Sequence, residues 1–255
     1  MQFHRNVTSV LSIFIGIFFI LLCFNFSAAG QRKIETGDFF ISNYNRSFLN
    51  TYSYNWSILQ DSEGIIYYGN TQKGVQTFDG QKVRPVLDEK GGPTGGFGGY
   101  LAIDIDSKKT IYALFSASFG YIEKNRFNEP IYYSLSDKLP EKDKVNSTLW
   151  MTKVLNDTII FMSENSVYLY KDKKLISVEH YKNVIHVLMT TEKDAFLRVW
   201  GDGLFKLVNG KFTLIPSTKE IFAQNRIDKV YSLDNGDILL AVSYTHLTLP
   251  TKRIV

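Results

Sequence analysis

Cysteine is nearly absent: the 255 residues include one, Cys23, alongside six prolines and four histidines. Because Cys23 sits inside an apolar N-terminal run, the rest of the chain can build neither a disulfide framework nor a cysteine-based metal site. Stability has to come from buried apolar surface, and roughly 210 residues beyond that run suffice for a substantial core without staples. The lack of disulfides fits a bacterial periplasm better than a eukaryotic secreted module. An excess of one charge is missing too. The formal net charge is +4, but removing Arg5, Lys252 and Arg253 from the 29 Lys and Arg leaves 26 against 25 Asp and Glu. A near-neutral body offers no basic face to DNA or RNA. Lys108-Lys109 and Lys171 to Lys174 read as solvated hairpin tips.

Catalytic signatures are also lacking. There is no Gly-x-Ser-x-Gly elbow. The Gly-rich stretch Gly91 to Gly99 leads into an extended run, Tyr100 to Ile105, rather than a helix, so it reads as a loop between repeats and not as a phosphate cradle. His180 and His186 lie six residues apart with no cysteine or carboxylate pair to join them, and read as ordinary loop and strand residues. Asp104 and Asp106 read as turn formers. The expectation is no catalytic residue, no metal and no cofactor.

What is present is a repeat. From Trp56 to Gly80, apolar runs flank Asp61-Ser62-Glu63-Gly64, where Asp can bond the turn backbone and Gly can take positive φ. Gly74 opens Val75 to Phe78, and Asp79-Gly80 turns the chain into a last strand over Gln81 to Val86. The residue ending the first turn recurs at Gly64, Lys109, Asp157, Asp194 and Gly236, at spacings of 45, 48, 37 and 42. A second anchor follows at Gly74, Gly120, Ser166 and Gly203, and Asn209-Gly210 repeats the Asp79-Gly80 turn. Repeats of this length with four strands each are blades of a β-propeller, in which radial stacking buries sheet faces that one blade could not cover. The expected fold is all-β, with four to five four-stranded antiparallel blades, incomplete, over residues 55–241.

Aromatics mark the candidate binding residues. Trp56, Trp150 and Trp200 fall near strand ends, and propeller ligands sit among such loops. Arg198 alternates with Phe196 and Trp200 on one strand face. Trp150, Arg198 and Trp200 are therefore the candidates for an anionic or sugar ligand. The competing reading is a guanidinium stacked between blades with its head in water.

The two ends read differently from the body. Val10 to Phe24 followed by Ser27-Ala28-Ala29 reads as a signal peptide over residues 1–29, because 15 residues reach only about 22 Å against a hydrocarbon core of about 30 Å. A permanent anchor and a lipid on Cys23 are the alternatives. Residues 30–54 form a lead-in. Residues 242–255 break the fifth repeat, and Val242 to Thr251 resembles a transposon-library sequencing adapter read in frame, so the repeats are expected to continue in the natural chain.

The segments W-S-I-L-Q-D-S-E-G-I-I-Y-Y-G-N, K-G-V-Q-T-F-D-G, F-G-Y-I-E-K, Y-S-L-S-D-K-L-P and V-W-G-D-G-L-F-K-L-V-N-G-K, spanning nearly all of Asn55 to Ala241, together resemble the periplasmic sensor propellers of bacterial two-component and related regulators. In that family a triple-tyrosine immunoglobulin-like domain often follows. The resemblance implies an exported ligand-sensing propeller, with a small molecule or glycan as ligand. It also implies a dimer in the full-length protein, a downstream membrane helix, and an output module such as a histidine kinase, diguanylate cyclase or phosphatase. A secreted glycan- or protein-binding propeller with no output domain is the alternative.

Overall fold

The computed structural model describes residues 42–49, 54–94, 102–115, 117–235 and 237–242. Residues 1–29, read from sequence as a signal peptide, lie outside the described residues, as do Gly95 to Gly99, Gly236 and residues 243–255. Acidic turns set the hairpins. Asp61 Oδ1 accepts the N–H groups of Glu63 and Ile65, both at 2.9 Å, and Gly64 takes a φ of 84°, reversing the chain between β1 (Asn55–Gln60) and β2 (Ile66–Asn70). Asp106 repeats the device, accepting from Thr110 N at 2.8 Å while Lys109 takes a φ of 66°. In a third turn Asp157 has a φ of 60°. The turn at Asp194 is shorter and is held by Thr191, whose Oγ1 accepts Asp194 N at 3.0 Å.

β3 (Gly74–Phe78) and β4 (Val83–Pro85) complete the first sheet, an antiparallel meander in the order β1-β2-β3-β4. After it, β5 (Leu87–Asp88) runs parallel to the outer strand of the second sheet. That sheet holds β6 (Ala102–Ile105), β7 (Ile111–Leu114), β8 (Phe119–Lys124) and β9 (Pro130–Ser134). The third holds β10 (Leu149–Leu155), β11 (Thr158–Ser163), β12 (Ser166–Lys171) and β13 (Lys174–His180). The fourth holds β14 (Ile185–Thr190), β15 (Ala195–Val199), β16 (Gly203–Val208) and β17 (Lys211–Leu214). A 3-10 turn (Pro216–Thr218) and the single-turn helix α1 (Lys219–Phe222) then lead to the hairpin β18 (Ile227–Ser232) and β19 (Ile238–Val242).

The first strands of successive sheets touch, β1 with β6, β6 with β10, β10 with β14 and β14 with β18, so they form the inner edge of a radial array. Apolar side chains fill each gap between sheets: Tyr67, Val75, Ile111 and Ile122 between the first and second, Leu114, Phe119, Phe161 and Tyr168 between the second and third, Met162, Val167, Leu188 and Leu197 between the third and fourth. Val187, Phe196, Leu204, Ile227 and Val230 fill the gap before the last hairpin. The described residues form a propeller of four full blades and half of a fifth. In the lead-in, Tyr44 and Phe48 pack on Phe78 with centroids at 4.8 and 6.0 Å.

Three blades close with the same hydroxyl clip. The N–H groups of Val86, Leu135 and Ile215 donate to the carbonyls of Val75, Phe119 and Leu204, each at 2.9 Å. The N–H groups of Val75, Phe119 and Leu204 in turn donate to Thr94 Oγ1 at 3.1 Å, Ser136 Oγ at 3.3 Å and Thr218 Oγ1 at 3.0 Å. Each clip fastens an inter-blade connection to the start of a third strand. Equating Phe119 with Val75 and Leu204 moves the second anchor of the second blade to Ser118. Gly120 is not in a turn but inside β8, where a Cβ would meet Tyr133 O at 2.0 Å. Glycine at that position serves close approach.

The hydroxyl clip is testable. Thr218→Val leaves the buried N–H of Leu204 without its acceptor and should cost about 1–3 kcal/mol, whereas Thr218→Ser, which keeps the oxygen, should recover most of the loss in urea unfolding.

Candidate functional site

Strand direction divides the propeller into two ends. The starts of the inner strands, the turns joining second to third strands and the connections between blades share one end, here the mouth. The turns joining first to second and third to fourth strands share the far end.

The far end is built from turn carboxylates and ion pairs. Lys108 pairs with Asp172 and Lys173 with Glu123, bridging the second and third blades, and Lys124 meets Glu63 at 2.6 Å, bridging the first and second. One lysine of each run is thus joined to a neighbouring blade rather than standing as a free tip, although such exposed pairs contribute only about 0–1 kcal/mol each. Asp106 caps its turn as the sequence implies, but Asp104 does not. Asp104 Oδ2 accepts Val154 N at 2.9 Å, so it ties β6 to β10 across the blade gap. A cleft of about 410 Å³ beside β5 and β9 is lined by Asp88 and Asn125. Both are turn residues whose Oδ1 atoms already accept two backbone N–H groups each.

At the mouth, one irregularity recurs. Pairing of the inner strand with its neighbour skips a residue between Asn55 and Ser57, between Leu149 and Met151, between Ile185 and Val187, and between Ile227 and Lys229. The skipped residues are Trp56, Trp150, His186 and Asp228. A bulge turns a side chain out of the ladder's alternation, and a geometry repeated in this way is a device for aiming it. Three full blades and the last hairpin therefore present two indoles, an imidazole and a carboxylate from equivalent positions at the inner edge. Trp56 is half exposed, with its Nε1 donating to Thr71 Oγ1 at 2.9 Å. Arg226 Nε meets Asp228 Oδ1 at 2.6 Å.

Trp200, just beyond β15, extends this ring. Its indole lies 3.6 Å from the Arg198 guanidinium carbon and 5.5 Å, edge to face, from the His186 ring. Arg198 and Trp200 are thus brought together, and His186, which sequence reasoning set aside, joins them. Trp150 sits one blade away. Arg198 does not hold its head in water. The residue is 0% exposed, and its Nη2 donates to Phe222 O at 3.0 Å and Ala223 O at 2.8 Å. Those carbonyls end α1, where a cation is favoured. Gly201 N donates to the same Ala223 carbonyl at 2.9 Å. Gly203, at a φ of 113°, lets Lys219 Cα approach to 3.1 Å of where a Cβ would stand. The connection after β17 is thereby pressed onto the β15–β16 turn.

The other histidine has a structural use. His180 Nδ1 lies 2.9 Å from Ser166 Oγ and its Nε2 lies 3.2 Å from Asp143, closing the third blade. Of the remaining anchors, Gly74, Gly80 and Gly210 take positive φ of 70°, 90° and 78° in turns.

Electrostatics at the mouth follow burial. Loss of solvent pulls the Arg198 guanidinium down to about 10. Burial, with Arg198 and then Arg226 beside it, holds His186 below its ordinary 6.5. A histidine depressed in the fold binds its proton more readily when unfolded, so stability should fall as pH drops below about 6.5. His186→Gln should flatten that decline when urea unfolding is compared at pH 7.5 and pH 5.

No family model matches the chain, and no curated protein matches it. Among solved structures, the extracellular domain of a hybrid two-component system from B. thetaiotaomicron superposes with a TM-score of 0.53 at 16% identity, over 78% of this chain and 27% of that one. A streptogramin B lyase superposes with a TM-score of 0.51 at 12% identity, over 74% of this chain and 62% of that one. The extracellular domain of a one-component system from B. thetaiotaomicron gives 0.49 at 21% identity, over 74% and 25%. The chain spans less than two thirds of each. At these identities what is shared is the fold, and this chain is a β-propeller.

Proposed function

We propose that this chain is the ligand-sensing propeller of an exported bacterial signal-transduction regulator, and that it takes a small molecule or glycan at its mouth. The observation that carries the reading is the recurrence of one bulge in four inner strands, which aims Trp56, Trp150, His186 and Asp228 from equivalent positions. Indoles supply flat apolar surface for a sugar ring, and the carboxylate and imidazole supply hydrogen bonds around it. Support for sensing comes from the sequence resemblance and from the likeness to an extracellular two-component domain. Ligand occupancy would be passed on only through a difference in affinity between two arrangements of the sensor, as linkage requires.

All three tryptophans of the chain lie at the mouth, so intrinsic fluorescence reports on that end. A screen of glycan fragments and small metabolites should find a ligand that shifts the emission and saturates. Trp150→Ala should weaken its binding at least tenfold, while Lys108→Ala and Lys173→Ala at the far end should leave it unchanged. Binding that responds to the far-end changes and ignores Trp150→Ala would contradict the reading. An intact gene that ends once the blades are complete would favour a secreted binding propeller without output.

A further inference from the structure

Arg198 occupies a position that is apolar or bare in every other full blade. Strand register makes it equivalent to Gly69, Leu114 and Met162, which lie opposite Val75, Phe119 and Val167 as Arg198 lies opposite Leu204. Leu114 and Met162 fill the gap to the next blade with hydrocarbon. In the fourth blade the same slot holds a guanidinium that is 0% exposed. Its only hydrogen bonds run from Nη2 to neutral carbonyls, with the Trp200 ring over the guanidinium carbon at 3.6 Å. Nε and Nη1 meet no acceptor, and no Asp or Glu pairs with the group among the described residues. His186 Nδ1, on the same indole, is likewise buried and unmatched. Buried charges in folded proteins are paired, because desolvation of a lone ion outweighs what neutral dipoles return.

We propose that the mouth end of the gap between the fourth blade and the last hairpin is a carboxylate-binding subsite, in which Arg198 is the counter-ion of an acidic ligand such as a uronic acid. This deepens the reading of the mouth as a ligand surface and rests on it. One uncompensated guanidinium matches a monoanion. The neighbouring Arg226 is already matched by Asp228 and adds no second free cation for a phosphate dianion. His186, neutral because it is held below its ordinary range, offers a further hydrogen bond to the carboxylate. Trp200, partly buried above the covered guanidinium, is the side chain that must swing for the anion to reach it, and its ring then faces the sugar.

The test uses the full chain, with glucuronate, acetate, glucose and inorganic phosphate as probes in thermal melts and tryptophan fluorescence. Glucuronate should raise the melting temperature progressively with concentration, by roughly 5–10 °C at about a hundredfold excess over Kd. Acetate should do so more weakly, glucose should not act alone, and phosphate should act no better than acetate. Arg198→Met, which installs the residue of the third blade, should melt above the unliganded native chain and lose at least tenfold in glucuronate affinity. Arg198→Gln, which removes the charge and leaves a shorter polar side chain, should lose the response as well. Trp200→Phe should bind while losing most of the fluorescence change. A native chain indifferent to both carboxylates overturns the proposal, as does an Arg198→Met variant that melts lower and binds glucuronate equally. A neutral glycan bound equally by the native chain and Arg198→Gln, without any carboxylate response, would remove the anion subsite and leave the mouth as a binding surface.

Discussion

A four-stranded sheet of mixed apolar faces cannot cover itself, and every other feature of this chain follows from how neighbouring sheets cover one another. The inner strands touch in sequence around an axis, and each gap between blades is filled by residues from both sides, with Phe119 stacked on Phe161 at 4.3 Å as one example. Burial of rings such as these contributes roughly 1.5–3 kcal/mol each. Because each blade meets only its neighbours, stability is a sum of local interfaces, as in other repeat folds. A change in one gap is felt mainly there, and this frees the remaining gaps to specialise. The gap after the fourth blade holds the buried Arg198 where the other full blades place Gly69, Leu114 and Met162.

Radial packing also makes the two ends inequivalent. Far-end turns are tight, closed by Asp61, Asp106 and Thr191 acting on their own backbone, and their charges cancel in pairs across blades. Mouth connections are longer and are clipped down by Thr94, Ser136 and Thr218. With the connections fastened, the inner-strand bulges have a fixed frame from which to aim Trp56, Trp150, His186 and Asp228. Structure at one end is spent on closing the backbone, and at the other on presenting side chains.

The repeat and its turns were legible in the sequence because their cause is local. An Asp three residues before Gly64 or Lys109 writes its hydrogen bonds into four consecutive positions, so spacing alone reveals the hairpin. The clips were not legible. Their hydroxyls fall eight, one and three residues after the strand-closing N–H, at Thr94, Ser136 and Thr218, and no fixed period survives that variation. Gly120 was misread as a turn glycine since its need for the missing Cβ comes from Tyr133, on another strand. The bulges were hidden for the same reason: a skipped residue exists only relative to its partner strand. Arg198 could be placed beside Trp200 by alternation along β15, but not its burial, which depends on carbonyls of Phe222 and Ala223 more than twenty residues on. His186 was passed over because, read along the chain, it has no metal-binding or catalytic neighbour.

The central claim is that the mouth binds and the far end only holds. Amide hydrogen exchange on the full chain, with and without a saturating uronic acid oligomer, tests it most directly. The account predicts slower exchange in peptides covering residues 184–187, 198–203 and 222–228, with the turns at 61–64, 106–110, 156–158 and 191–194 unchanged. Slowing confined to those turns, with the mouth peptides unaltered, would contradict it.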